Sequence, residues 1–480
     1  MPGMGTPELP VPDGLVLRPF RGVRFAVDDP AKVTSPPYDL ISNGDVRALL
    51  DSHPNNVVRL ILPCTSPQAT PQGQAGQAAT PATEPAATPP GTSPATHPDD
   101  GRRIPAPDDR TDSGDQKYGP ARDTLRAWLS SGVLVRDDLP ALYAYEQSGA
   151  GVLQRGLIGD VGLADPAQGI ILPHEDVFPG PVADRLALMS TTQANLEPIF
   201  LLYNGDHGAA TRLVEEVATT RAPLIHARTD DGLSHRLWAI TDQAEIDAVN
   251  ADLRPRQALI ADGHHRYATY RILQRQEHAA RTTPIPPATP QVGPWDFGLA
   301  LLVDSTAYPP DLKAIHRVIP GLPLAQAAAR AKGSWQVHDH PTLAEGLAAL
   351  NAAAEPAFLL AGEGGSHLLT DPDPTQLAHA MPADHSDRWN SLNTAVLTRF
   401  VMPKVWGMEE DEQAVRIVHH DAQAARDLAV RYGGTAVIIK PLAVDDVLAV
   451  AAAGERVPRK STSFGPKPRT GLLLRTFATE

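Results

Sequence analysis

The residues best suited to chemistry lie in one stretch, Gln257-Ala258-Leu259-Ile260-Ala261-Asp262-Gly263-His264-His265-Arg266-Tyr267-Ala268-Thr269-Tyr270. It sets an acid, a glycine, two histidines and an arginine between an apolar run and a helical pattern. Ala258 to Ile260 read as a short buried strand and Tyr267 to Gln274 as helix, so Asp262-Gly263 is expected to form the strand-to-helix turn. The N–H groups that open a helix lack intrahelical partners and carry partial positive charge, which favours a phosphate there. Gly263 lets the backbone approach closely, and Arg266 adds a fork of donors matched to phosphate oxygens. The competing reading makes Asp262 a plain helix cap and the histidines surface residues.

Four further segments put polar groups where turns would expose them. In Thr34-Ser35-Pro36-Pro37-Tyr38-Asp39, two prolines fix an extended lead into a turn that presents Tyr38 and Asp39; a purely structural turn competes. Leu172-Pro173-His174-Glu175-Asp176, followed by Asp184-Arg185, sets a histidine beside a carboxylate that can act as a general base, with Arg185 available for an anion. It is not a metalloprotease HExxH, because Phe178 stands at the second histidine position. Between Thr191 and Leu201, Asn195, Glu197 and Pro198 precede a strand, and Asn195 is a candidate for orienting a substrate. The last segment, Arg456 to Lys467, carries Lys460, Ser461, Thr462 and Lys467 and reads as a local phosphate cradle. It departs from a Walker A loop, since Gly471-Leu472-Leu473-Leu474 follows as a strand rather than a helix.

These segments need elements to position them. At 480 residues the chain exceeds the usual single-domain size. Strand-like runs (141–145, 157–161, 198–203, 297–303, 357–360, 414–418, 436–439) alternate with helical patterns (243–252, 264–276, 324–332, 422–432, 445–453). The expected fold class is therefore α/β or mixed α+β, without a solenoid repeat. Residues 65–116, dominated by Pro, Thr, Ala, Gly, Gln and Asp, cannot bury enough apolar surface to offset their ordering entropy and read as a disordered insertion. That leaves 1–64 and 117–480 as one region of two closely packed α/β subdomains. Val57-Val58-Arg59-Leu60-Ile61-Leu62 before the insertion reads as a strand, and Ala121 to Leu134 after it as an amphipathic helix. A shorter proline-rich loop falls at 282–294.

Net charge of −14 argues against general nucleic-acid binding, so any anion must be met by a local positive pocket. A single cysteine, Cys64, excludes an internal disulfide framework and fits a reducing compartment. Neither an export signal nor a run long enough to cross a bilayer is evident, so a cytoplasmic protein without membrane partners is expected.

Taken in order, PPYD (Pro36 to Asp39), NVVRLILP (Asn56 to Pro63), HE with DR (His174, Glu175, Asp184, Arg185), PIF (Pro198 to Phe200), IADGHHRY (Ile260 to Tyr267) and KSTSFGPK (Lys460 to Lys467) resemble the DUF1015 family over almost the whole chain. The DGHHR element also resembles the ParB/sulfiredoxin superfamily, whose members place a nucleotide phosphate at the start of the following helix and include kinases of free serine. The resemblance implies a ParB/sulfiredoxin-like nucleotide-binding core and an ATP-dependent kinase making O-phosphoserine from free L-serine. In that reading Gly263, His265 and Arg266 hold nucleotide phosphates with Ser461 and Thr462, while Lys460 and Lys467 neutralise the transferring group. Glu175 takes the serine proton, Asp262 supports Mg²⁺ or orients His264, and Arg185 clamps the substrate carboxylate beside Tyr38, Asp39, His174 and Asn195. Two departures stand out: the long insertion, and Val177 where a threonine commonly follows the HE pair. The rival readings are a nucleotide or phosphoester hydrolase using the same cradle, and a nucleotide-sensing module without turnover.

Overall fold

The computed structural model describes residues 9–63, 111–280, 292–409 and 414–478. The body of the fold is a nine-stranded mixed sheet. Its strands run in the order Ile171–Leu172, Ala258–Asp262, Ile199–Tyr203, Phe297–Asp304, Val152–Gly162, Leu142–Gly149, Ser234–Ile240 and Ile225–Arg228, with Leu17–Arg18 on the far end of Val152–Gly162. Two pairings are parallel, Ala258–Asp262 with Ile171–Leu172 and Phe297–Asp304 with Ile199–Tyr203; the others are antiparallel. The fold class is thus mixed α/β.

The central strands read as apolar runs because both faces are covered. Ile199, Leu201, Tyr203, Ala258, Ile260, Ala300 and Leu302 face one core, which helices Ala209–Thr220, Gln243–Leu253 and His264–Ala280 complete. The alternate residues Phe200, Leu202, Leu259, Ala261, Leu299 and Leu301 face a second core. It is closed by helix Val444–Ala452 and by Val457, Phe464, Leu472 and Leu473 of the C-terminal segment. A second sheet is wholly antiparallel, in the order Gln336–His340, Gly365–Thr370, Phe358–Gly362, Thr435–Ile438, Ile315–Ile319, Arg416–His419.

The strand and helix segments expected from periodicity occur within a few residues of their expected bounds, except that the helix expected at 121–134 spans Thr111–Ser130, with Leu134 opening a strand, and for two further differences. Val58–Ile61 is a single helical turn, not a strand: Asn56 Oδ1 accepts from Val58 N at 3.0 Å and its amide donates to Lys32 and Thr34 carbonyls, fixing a cap. Val57, Val58, Leu60 and Ile61 are all fully buried, and a run buried on every side carries no period to separate helix from strand. Gly471 to Leu474 is not a regular strand either; it adds one bridge, Val23 to Leu474, before the two-residue strand Arg475–Thr476. Residues 65–110 of the expected insertion and 282–291 of the proline-rich loop lie outside the described residues; 111–116 belong to helix Thr111–Ser130.

The C-terminal strand is pinned by charge. Arg475 Nε stands 2.6 Å from Asp160 Oδ1, both side chains being almost fully buried, and its other nitrogens donate to Asn195 Oδ1 and the Pro294 and Phe297 carbonyls. Removing one member of such a pair strands the other charge in a poorly solvated site. We expect Asp160→Asn to cost about 3–5 kcal/mol of stability, measured as a lower midpoint in urea unfolding.

Candidate functional site

Strand Ala258–Asp262 ends on Gly263, whose φ of +94° turns the chain into helix His264–Ala280. A side chain at Gly263 would also meet Ile199 Cγ2 at 2.9 Å, so conformation and space both require glycine here. The first helical bond runs from Tyr267 N to Gly263 O, and the N–H groups of His264 to Arg266 have no intrahelical acceptor. The expected strand, turn and helix are therefore in place, with a helix start facing the segments gathered around it.

Asp262 anchors the cluster. Its Oδ1 lies 2.6 Å from Lys467 Nζ and its Oδ2 accepts from Arg266 Nη2 at 2.6 Å. Lys467 also donates to Asp39, so a lysine from near the C-terminal end bridges two acids. Burial works against the Lys467 ammonium, but Asp262 and Asp39 outweigh it and hold its pKa well above the usual lysine value. Burial likewise pushes Asp39 up, and Lys467 with Arg266 reverses this to a net lowering.

A second chain of contacts runs beside the first. Thr462 Oγ1 donates to Glu175 Oε1 at 2.8 Å and meets His174 Nε2 at 2.8 Å. His174 N donates to His264 Nε2 at 3.3 Å, and the two rings meet edge to face with centroids 4.6 Å apart. Burial pushes His174 down to about 3 and His264 well below its ordinary value, with His174 adding to the latter effect. Both are neutral at pH 7, which suits a hydrogen-bonded scaffold better than proton transfer. Burial raises the Glu175 pKa, only partly offset by Thr462 and Lys460. His265 Nε2 accepts from Phe178 N at 3.1 Å and its ring stacks on Phe178 at 6.0 Å, which ties the loop after Glu175 to the helix start.

Several candidates sit elsewhere or are already committed. Arg266 is buried, and besides Asp262 it donates from Nη1 to the Pro198 carbonyl at 2.6 Å, so it braces the turn rather than offering a free fork to phosphate. Arg185 is buried against Asp184 (2.7 Å), Tyr118 Oη and the Ile61 carbonyl, under the Tyr38 ring at 4.7 Å. A guanidinium so engaged does not clamp a substrate carboxylate. Asn195 is buried with its Oδ1 accepting from Leu299 N and Arg475, facing the sheet interior instead of a ligand. Ser461 is buried and bonds the Pro458 carbonyl within its own loop. Tyr38 contributes its backbone, donating to Glu197 Oε1 at 3.1 Å, while its ring stays with Arg185.

Both oxygens of Asp262 are occupied by cations, and among the described residues no group of three or more His, Cys, Asp or Glu could hold a metal. The residues present do not fit a protein-held Mg²⁺, and the expectation that Asp262 ligates one is corrected by those two ion pairs.

Two contributors were given no role in the sequence reading, Glu197, named there only as part of its segment, and Arg317. Glu197, 4 % exposed, accepts from Tyr38 N and Thr470 Oγ1 and supplies the largest charge stabilisation of Arg266. An acid directly before a buried apolar strand was the available signal, since a buried carboxylate needs partners. Arg317, from the second sheet and fully buried, donates to the Arg459 and Lys460 carbonyls at 2.9 and 3.1 Å and so sets the shape of the cradle loop. Its signal was a cation inside the apolar strand Ile315–Ile319. The side chain of Lys460 is exposed, on a residue with φ of +54°.

Linkage gives the acid behaviour of this cluster a sign. Asp39, lowered in the fold, contributes stability that is complete above its ordinary pKa of 3.8 and is lost as pH falls through its folded value. Lys467→Met removes the main charge partner. The stability deficit of that variant relative to wild type should be largest near neutral pH and narrow as pH falls below about 4, measured by urea unfolding across pH; a deficit that widens on acidification would contradict the assignment.

No curated protein matches the chain significantly in sequence. Among solved structures, a glutamate-to-alanine variant of free serine kinase in complex with ADP is 13% identical, covering 68% of this chain and 95% of its own at a TM-score of 0.33. A free serine kinase in complex with AMP is 14% identical, covering 66% and 92% at 0.32. SbnI with C-terminal truncation from Staphylococcus aureus is 12% identical, covering 67% and 88% at 0.34. Likenesses this loose carry no argument about activity. The family described as "Protein of unknown function (DUF1015)" matches residues 17–84 and 95–395, and since those spans make up well over half of the sequence, the chain belongs to the DUF1015 family.

Proposed function

We propose that the protein is an ATP-dependent kinase that phosphorylates the hydroxyl of free L-serine to give O-phosphoserine. The observation that carries this reading is Glu175, a carboxylate with a raised pKa, held by the Thr462 hydroxyl and flanked by Lys460 and Lys467 beside the free N–H groups of His264 to Arg266. A general base works best when its pKa lies near the operating pH, and burial moves Glu175 in that direction. Phosphoryl transfer asks a protein mainly for positioning and charge compensation.

The terminal phosphoryl group of the donor lies against the helix start, its charge met by the backbone dipole and by Lys460. The serine hydroxyl oxygen attacks phosphorus, its proton passes to Glu175, and the bond to the leaving nucleoside diphosphate breaks, with the electron pair remaining on that product. His174 and His264, neutral and mutually packed, fix Thr462 and hence the orientation of Glu175. Lys467 holds Asp262 and Asp39 and adds positive potential at closer range to the protein than to the ligand. A divalent ion carried on the nucleotide phosphates requires no protein cage.

The test is ³¹P NMR of the protein with ATP and L-serine, alongside Glu175→Gln. Wild type should yield a phosphomonoester signal, and the variant should lose about 10²–10⁴-fold in kcat while nucleotide affinity is retained. Because only deprotonated Glu175 accepts a proton, the wild-type rate should rise with pH through a pKa above the ordinary 4.5, and this limb should vanish in the variant. Free phosphate without phosphoserine would instead assign a hydrolase, and unchanged ATP with retained binding a sensing module.

A further inference from the structure

A second cationic cleft lies beside the C-terminal strand Arg475–Thr476. It is a half-open cleft of about 480 Å³ lined by Arg18, Arg21, Arg136 and Arg475, with Asp160 the one acidic residue among the described lining residues. That size is within the usual range for small-molecule sites. In a chain of net charge −14, Arg18, Arg136 and Arg475 set against Asp160 give this cleft a local excess of positive charge. Asp160 is consumed by the protein itself, since Arg475 and Arg18 approach its two oxygens at 2.6 and 3.2 Å. Arg18 remains 43% exposed and stacks on Phe297 at 3.8 Å, which holds its guanidinium at the cleft wall. Arg136, half-buried, makes one hydrogen bond of 3.0 Å, to Thr476 Oγ1.

We infer that this cleft binds a small polyanion of the di- or triphosphate kind. Arginine forks match phosphate oxygens in pairs, and groups already positioned by Phe297, Asp160 and Thr476 lose little freedom on binding. The floor is built for rigidity: Arg475 is tied to Pro294 and Phe297 carbonyls, and Asp296, in the same turn, accepts from Gly293 N and bonds His278 at 2.8 Å. None of the cleft's lining residues belongs to the DGHHR turn or to the 456–467 segment. The two sites therefore have separate ligand contacts, and the inference does not depend on the proposed kinase activity.

Isothermal titration with inorganic pyrophosphate at low ionic strength tests it on the full chain. The first site is silenced with Lys460→Ala/His265→Ala, in which one saturable event should persist. Adding Arg18→Gln/Arg136→Gln should weaken that event by about 100-fold, roughly tenfold per lost charged contact. Arg136→Gln alone, which gives up one hydrogen bond to Thr476, should weaken it about tenfold and keeps the test open if the combined variant does not fold. Absence of saturable binding in the silenced protein overturns the proposal, as does unchanged affinity in the folded arginine variants.

Discussion

The geometry of the candidate site depends on the need to compensate Asp262, an acid at the end of an otherwise apolar strand. A carboxylate in that position is stable only if its oxygens are taken up by donors or cations. Arg266, four residues on and in the first turn of the helix, takes one oxygen, and Lys467 takes the other from the C-terminal segment. Each of those cations then recruits more of the chain. Arg266 fastens the Pro198 carbonyl and is stabilised by Glu197, while Lys467 reaches Asp39 in the turn after the two prolines. One charge thus draws three distant segments to a single helix start.

A layer of neutral histidines complements this charged layer. His174 and His264 are buried where protonation is unfavourable, and their mutual contact leaves the Thr462 hydroxyl to choose between imidazole and carboxylate. The consequence is a division of labour by environment. The histidines, although the most conspicuous residues of the motif, are buried and held neutral, and the carboxylate beside them is the group whose pKa burial raises.

The second sheet enters the site through the backbone. Arg317, buried in strand Ile315–Ile319, fixes the carbonyls of Arg459 and Lys460, and strand Ser463–Gly465 pairs with Asp311–Lys313 just before it. The cradle loop is held at both ends by elements more than a hundred residues earlier in the chain. Asn195 to Pro198 plays a similar part on the large sheet: Asn195 meets Arg475, Glu197 meets Tyr38 and Thr470, and Pro198 meets Arg266.

Local patterns in the sequence determined the elements and the turn. The short apolar runs of Ile199–Tyr203 and Ala258–Asp262, the helical run after His264, and the glycine at the turn each rest on neighbours within a few residues, so they could be read without the fold. Val57 to Leu62 escaped because a segment buried on every side has no period. The partners of the charges were decided by tertiary structure alone. Asp39 and Lys467 are 428 positions apart, and nothing local shows that Arg185 and Arg266 spend their donors inside the protein or that Asn195 faces the core. Residue type limits which interactions a side chain can make, but burial and the arrival of distant partners decide which of them it makes, because the cost of an unpaired charge is set by solvent exclusion that exists only in the folded chain.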